Sequence, residues 1–214
     1  MIWRRRSPQD ATIDRLYGTI VAQVRLPVFY TDYNVADTVE GRFELLVLHQ
    51  ALTARRLAGD PMLRPLGPPL FDRFCRDLDH NLREMGVTDL GVPKKMQGFA
   101  AAYFGRARAY DLALSAGDPA RCEAAVARNV FGLPTPSAGA RRLAHYMWQT
   151  ARALDDCAAS SLSRGEPPFP DPYHPRYSQS QAVLTQHVRS SRTVLSCAKP
   201  LLSCLCALLY PLAT

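Results

Sequence analysis

The chain has 214 residues, 47% of them hydrophobic and 21% charged, and a formal charge of +7. A core of about 150 residues buries about two-thirds of the surface its unfolded chain exposes, so no disulfide or metal staple is required. Residues 1–171 hold 22 Lys+Arg and all 19 Asp+Glu, whereas 172–214 hold four basic residues and no acid. The expected folded part is therefore only mildly basic, which permits contact with RNA or anionic lipid without demanding it.

Cysteine usage points the same way. Cys75, Cys122 and Cys157 are single, far apart and on expected helices, which suits a reducing compartment rather than a disulfide framework. The start, MIWRRRSPQD, has no apolar run after its arginines, so no secretory signal is expected, and it is short for a transit peptide. High Ala and Arg with few Lys fits a GC-rich bacterial coding sequence.

Ser7-Pro8-Gln9-Asp10 opens the first expected helix, with Ser7 as N-cap and an acid three residues on. Ile13, Leu16, Tyr17, Ile20, Val21 and Val24 follow at helical spacing. Residues 25–36 read as a loop whose Phe29, Tyr30 and Tyr33 pack down on the helices. Asp37-Thr38-Val39-Glu40 resembles a capping box with Asp37 as the cap. The second helix then runs to about Ala58, with Phe43, Leu46, Val47, Gln50, Ala51, Ala54 and Leu57 inward. Pro61, Pro65, Pro68 and Pro69 leave room for only a short helix between Met62 and Leu66.

Leu70–Leu114 reads as a central helical hairpin. Leu70, Phe71, Phe74, Leu78, Leu82 and Met85 form one stripe, and Gly86 sits where a C-cap needs φ > 0. Val87–Pro93 is the connection, with Pro93 starting the second helix. Met96, Phe99, Ala100, Tyr103, Phe104, Ala107, Tyr110 and Leu114 form the second stripe, with Lys94, Lys95, Gln97, Arg106 and Arg108 opposite. Asp118-Pro119 restarts the chain in a helix carrying Cys122, Ala125, Val126 and Val130 that ends near Gly132. Ser137 caps a last long helix with Leu143, Ala144, Met147, Ala151 and Leu154 inward. Gly165–Pro175 is proline-rich and closes the globular pattern.

No period-2 run enriched in β-branched residues occurs. The expected fold is all-α: a single bundle of six or seven helices over 1–171 with a central hairpin, then an irregular tail over 172–214. The tail ends in an apolar stretch, 200–213, shorter than the roughly 20 residues a spanning helix needs. It reads as an extension with little defined structure, a weak membrane-associating segment or, least, a metal site from Cys197, Cys204 and Cys206, whose spacing is poor for zinc.

The chain holds no P-loop, dinucleotide fingerprint, nucleophile elbow or HExxH pattern. His49 and His145 read as packing residues on helices. Asp72, Asp77 and Asp79 alternate with Arg73 and Arg76, which is a solvated, salt-bridged face more readily than a Mg²⁺ site. Asp155-Asp156, near a helix end, has the same reading. Arg83 pairs best with Asp79, four residues earlier. Two readings of Asp79, Arg83, Asp89, Lys94 and Lys95 stand side by side: a polar clasp that fixes the hairpin angle, and a recognition surface. Lys94-Lys95 at a helix N-terminus oppose the helix dipole at a cost of about a few tenths of a kcal/mol each, which a partner's negative charge would offset. Tyr103, Phe104 and Tyr110 with Arg106 and Arg108 suit a core face better than a stacking platform for RNA.

Two separated blocks carry a family resemblance. Asp79, Arg83-Glu84, Gly86-Val87 and Asp89, then Val92, Lys94-Lys95, Phe104-Gly105-Arg106, Ala109-Tyr110 and Ala113 resemble the pattern of the ubiquinol–cytochrome c chaperone family. Asp37-Thr38, Gly41-Arg42-Phe43-Glu44 and Leu48-His49 resemble its second segment, and the similarity extends over about Ile13–Asp171. The resemblance implies a non-enzymatic assembly factor for ubiquinol–cytochrome c reductase, with no cofactor, that holds newly made cytochrome b or another reductase subunit. It also implies a ribosome or small-subunit partner in mitochondria, peripheral membrane contact, no DNA partner, and a place in the bacterial cytoplasm by the inner membrane (the matrix side in a eukaryote). The expected client or partner contacts are Asp79, Arg83, Glu84, Asp89, Lys94, Lys95, Tyr103, Arg106 and Tyr110. Two rivals are an RNA- or ribosome-binding helical module and, further off, a Mg²⁺-dependent helical enzyme acting on a lipid or isoprenoid.

Overall fold

The helix α3 (Val39–Gly59) has leucines on more than one side, and a helix apolar all round belongs inside. In the computed structural model, which describes residues 7–173, every residue from Val47 to Thr53 is buried, nearly two full turns. Its polar groups are satisfied internally. Thr53 Oγ1 donates to the His49 carbonyl at 2.9 Å, and Gln50 Nε2 donates to the Leu70 carbonyl at 3.3 Å. The other elements are α1 (Pro8–Val24), α2 (Val28–Thr31), a 3₁₀ turn (Arg64–Leu66), α4 (Gly67–Glu84), α5 (Gly91–Ser115), α6 (Pro119–Val130), α7 (Ala138–Asp156) and α8 (Ala159–Ser163). Helices α1, α4, α5, α6 and α7 all pack against α3.

The bundle is all-α, with no strand among the described residues, and its six long helices are those expected. Local signals explain the boundaries. Ser7 and Asp10 form a reciprocal capping box, Asp118 caps α6, Ser137 caps α7, and Gly86 and Gly132 take φ of +79° and +63° just past α4 and α6. The short turn between Met62 and Leu66 is the 3₁₀ element.

Several expectations are corrected. The organising element is α3, not the 70–114 hairpin, because the hairpin lies against α3 along one side. The cap of α3 is Thr38, whose hydroxyl accepts from Gly41 N–H at 3.1 Å. Asp37 instead accepts from Arg42 Nε at 2.7 Å. The aromatic loop contains α2, and Phe29 and Tyr33 are buried as expected. Helix α5 begins at Gly91, two residues before Pro93, since Gly91 and Val92 N–H both donate to the Thr88 carbonyl (2.8 and 3.1 Å). Met85 ends its stripe exposed, because the chain has already left the helix there.

The proline-rich segment does not leave the core at Gly165. Thr12 Oγ1 donates to the Ser163 carbonyl, Arg15 Nε to Arg164, Gln23 Nε2 to Pro170 and Tyr33 Oη to Pro172. Phe169 meets the His49 ring edge-on at 5.4 Å. The expectations for the 172–214 tail lie, from residue 174 onward, outside the described residues.

Candidate functional site

The α4–α5 hairpin projects its tip beyond the core. Helix α4 closes in a Schellman arrangement: Val87 N–H reaches the Leu82 carbonyl at 3.0 Å and Gly86 N–H the Arg83 carbonyl at 2.9 Å. This stiff end fixes the direction of the connection. Arg83 then holds both sides of it, donating to Asp79 at 2.8 Å and to Asp89 across the turn. The hydrogen bond from Arg83 keeps the Asp79 carboxyl below its ordinary range, and the two carboxylates raise Arg83. The pair is solvent-exposed, so it steers geometry more than it stabilises.

What the clasp presents is apolar. Leu90 is 94% exposed and Met85 is 57% exposed, with Glu84, Lys94 and Lys95 exposed around them. Isolated surface leucines are ordinary, but two large apolar side chains on one rigid turn, ringed by both signs of charge, form a small contact surface. Leu90 was not among the expected contacts. Its signal in the sequence was a leucine inside a polar connection.

Behind the tip, rings join three helices. Phe99 lies 4.9 Å from Phe43, Phe43 is 6.3 Å from Phe74, and Phe74 is 5.6 Å from Tyr103. Phe43 and Phe99 are half-buried, Phe74 and Tyr103 fully buried, so the series runs from surface to core. Offset and tilted rings at these distances add about 0.5–1.5 kcal/mol per pair beyond burial.

The nine expected contact residues thus divide. Asp79, Arg83, Glu84, Asp89, Lys94 and Lys95 come together at the tip. Tyr103, Arg106 and Tyr110 do not, which corrects their assignment to a contact surface. Tyr103 and Tyr110 are 4% and 1% exposed, and burial raises both hydroxyl pKa values well above ordinary. Arg106 turns inward instead of joining Lys94 and Lys95: Nε and Nη2 each reach a Glu44 carboxylate oxygen at 2.5 Å, forking α5 onto α3.

Two further polar clusters are structural. Between α1 and α4 an open groove of about 520 Å³ is lined by Asp14, Tyr17, Arg73 and Asp77 among others. Its charges are matched: Arg73 lies 3.1 Å from Asp14 and 3.6 Å from Asp77, and Tyr17 Oη donates to Asp77 at 2.8 Å. That agrees with the solvated, salt-bridged reading of Asp77 and Asp79. His49 is fully buried. The Leu45 carbonyl only accepts, so Nδ1 carries the hydrogen at 2.8 Å, and Nε2 accepts from Tyr146 Oη at 2.9 Å. Desolvation lowers its pKa to about 4.

A family model described as ubiquinol-cytochrome C chaperone matches residues 31–169. A crystal structure described as the Cbp3 homolog from Brucella abortus is 36% identical and superposes with a TM-score of 0.71. The match covers 78% of this chain and 92% of that one. No curated protein matches.

Proposed function

The chain belongs to the ubiquinol–cytochrome c chaperone family, and from that premise we propose that it is an assembly chaperone for the ubiquinol–cytochrome c reductase complex. The match over 31–169, which spans α3 and the whole hairpin, is the observation that carries this reading. The client is newly made cytochrome b, and the role is binding rather than catalysis.

The physical mechanism follows from the hairpin tip. A membrane-protein client exposes apolar helix surface before assembly, and Met85 and Leu90 offer apolar contact at no cost in core packing. Glu84, Lys94 and Lys95 orient the polar ends of the client segment, and the Arg83 clasp keeps the turn pre-shaped, which limits the ordering cost of binding. Release needs no nucleotide, since the client's transfer to its final partners removes the exposed apolar surface. No described helix is long and apolar enough to cross a membrane, so the chaperone meets its client from the side of the bilayer.

The test is deletion of the gene in its own host, with haem-stained gels and difference spectra of membranes. Selective loss of cytochrome b and of assembled reductase is expected, with rescue by the full-length chain and by 1–171. A Met85→Asp/Leu90→Asp chain that folds normally is expected to rescue poorly. Normal cytochrome b in the deletion strain would sink the assembly reading.

A further inference from the structure

Charge is segregated along the described chain. From Gly91 to Asp156, α5 through α7, nine Lys+Arg face five Asp+Glu, a balance of +4. The remainder of 7–173 holds ten basic and fourteen acidic residues, a balance of −4. The separation at the surface is sharper than these figures. Asp111 and Asp155 are both engaged by Arg55 of α3, at 3.2 and 3.0 Å. Helix α6 packs between α5 and α7, and all three cover α3, so their exposed side chains form one outer layer.

On that layer Arg108, Arg128, Arg141 and Arg152 are exposed. On α7, Arg141, Trp148 and Arg152 share one face, at steps of seven and four residues. Trp148 is half-exposed, and the Arg152 guanidinium sits over its ring, 4.9 Å from the centroid. Leu112, one turn beyond Arg108 on α5, is 54% exposed.

We propose that the outer layer of α5–α7 docks on an anionic lipid bilayer, with its arginines on headgroup phosphates and Trp148 at the interface. Basic residues near such a surface act together, and tryptophan favours the boundary between polar and apolar phases. Nucleic acid shares the phosphate chemistry but fits less well. Arg152 already covers the Trp148 ring, the tyrosines of α5 are buried, and an exposed leucine among arginines has a use in lipid that it lacks on phosphodiesters. This inference goes beyond the assembly reading and does not depend on it, since it is measured on the protein alone.

The experiment is cosedimentation of the full-length chain with phosphatidylcholine vesicles, with and without phosphatidylglycerol, at low and high salt. Binding is expected only with phosphatidylglycerol and is expected to fall with salt. Arg128→Gln/Arg141→Gln/Arg152→Gln should weaken it by about a hundred-fold. In a Trp3→Phe chain, Trp148 emission should shift to the blue on anionic vesicles and be quenched by brominated lipid. Undiminished binding of the triple variant, or Trp148 emission unmoved by vesicles the chain has bound, would place the contact elsewhere and overturn the proposal. Tight RNA binding through these arginines with no vesicle binding would overturn it in favour of a nucleic-acid surface.

Discussion

The middle of α3 and the tip of the α4–α5 hairpin place similar side chains in opposite surroundings. Leu48 is fully buried, with aromatic rings of α2 and α7 grouped around the neighbouring His49. Leu90 stands almost wholly in solvent on a turn held by Arg83. The first region makes the molecule fold; the second costs little to keep and contributes little to stability. A chaperone needs both: a rigid body, and apolar surface not consumed by its own core. The difference is therefore testable as a separation of stability from function.

The largest effect is expected at the centre of α3. Leu48→Ala should lower unfolding free energy by about 3 kcal/mol, read from the denaturant midpoint, because the cavity lies where helices on all sides prevent collapse. A loss below about 1 kcal/mol would show that α3 is not the packing centre.

The buried imidazole gives an effect of similar size through pH. His49 titrates near 4 in the fold and near 6.5 when unfolded, so the unfolded chain binds the extra proton between those values. The stability from keeping His49 neutral is whole above pH 6.5 and is lost as pH falls toward 4. The loss is at most about 3 kcal/mol by linkage. His49→Gln keeps a side chain able to accept from Tyr146 but cannot titrate. Its stability should fall less steeply than the parent's over that interval, and parallel profiles would remove His49 as the cause.

A smaller effect is expected where backbones meet. A Cβ on Gly41 would lie 1.9 Å from the Ala36 carbonyl oxygen, so the start of α3 must move away from the preceding segment. Gly41→Ala should cost about 2 kcal/mol by overpacking, visible as a lower midpoint with unchanged helicity. This gives a physical reason for glycine between Asp37-Thr38 and Arg42-Phe43.

The contrast between the regions also explains what the sequence disclosed. Helix caps were legible because they depend on a few neighbouring residues: Ser7, Asp118, Ser137 and Gly86 all act where their types predict. The Asp79–Arg83 pair was legible for the same reason, being one helical turn apart. Tertiary partners were not. Arg106 read as an outward charge because nothing local reveals Glu44, 62 residues away on α3. Asp37 lost the cap to Thr38 once Arg42 drew its carboxylate aside. The stripe through Met85 ran one residue too far, since periodicity continues past a C-cap that ends the helix. Phe169 and Pro172 read as linker because a proline-rich segment shows no periodicity, although the partners Tyr33 and His49 hold it down.

The smallest effect on stability is the most informative about function. Leu90→Ala with Met85→Ala removes side chains that are already in water, so the midpoint should move by no more than about 0.5 kcal/mol. The Arg83 clasp and the Schellman turn involve neither side chain, so the geometry of the tip stays in place. Cytochrome b accumulation in the complemented host should nonetheless fall, because the apolar contact is gone while the charged rim remains. Arg83→Ala is the complement: it leaves Leu90 and Met85 present but frees the turn. If binding rests on a pre-shaped surface, that variant also rescues weakly. If it rests on apolar area alone, Arg83→Ala rescues like the parent and only the double alanine fails. A double alanine that rescues fully would move the client from the tip to the half-buried Phe43 and Phe99 side of the same hairpin, where the apolar surface continues toward the core.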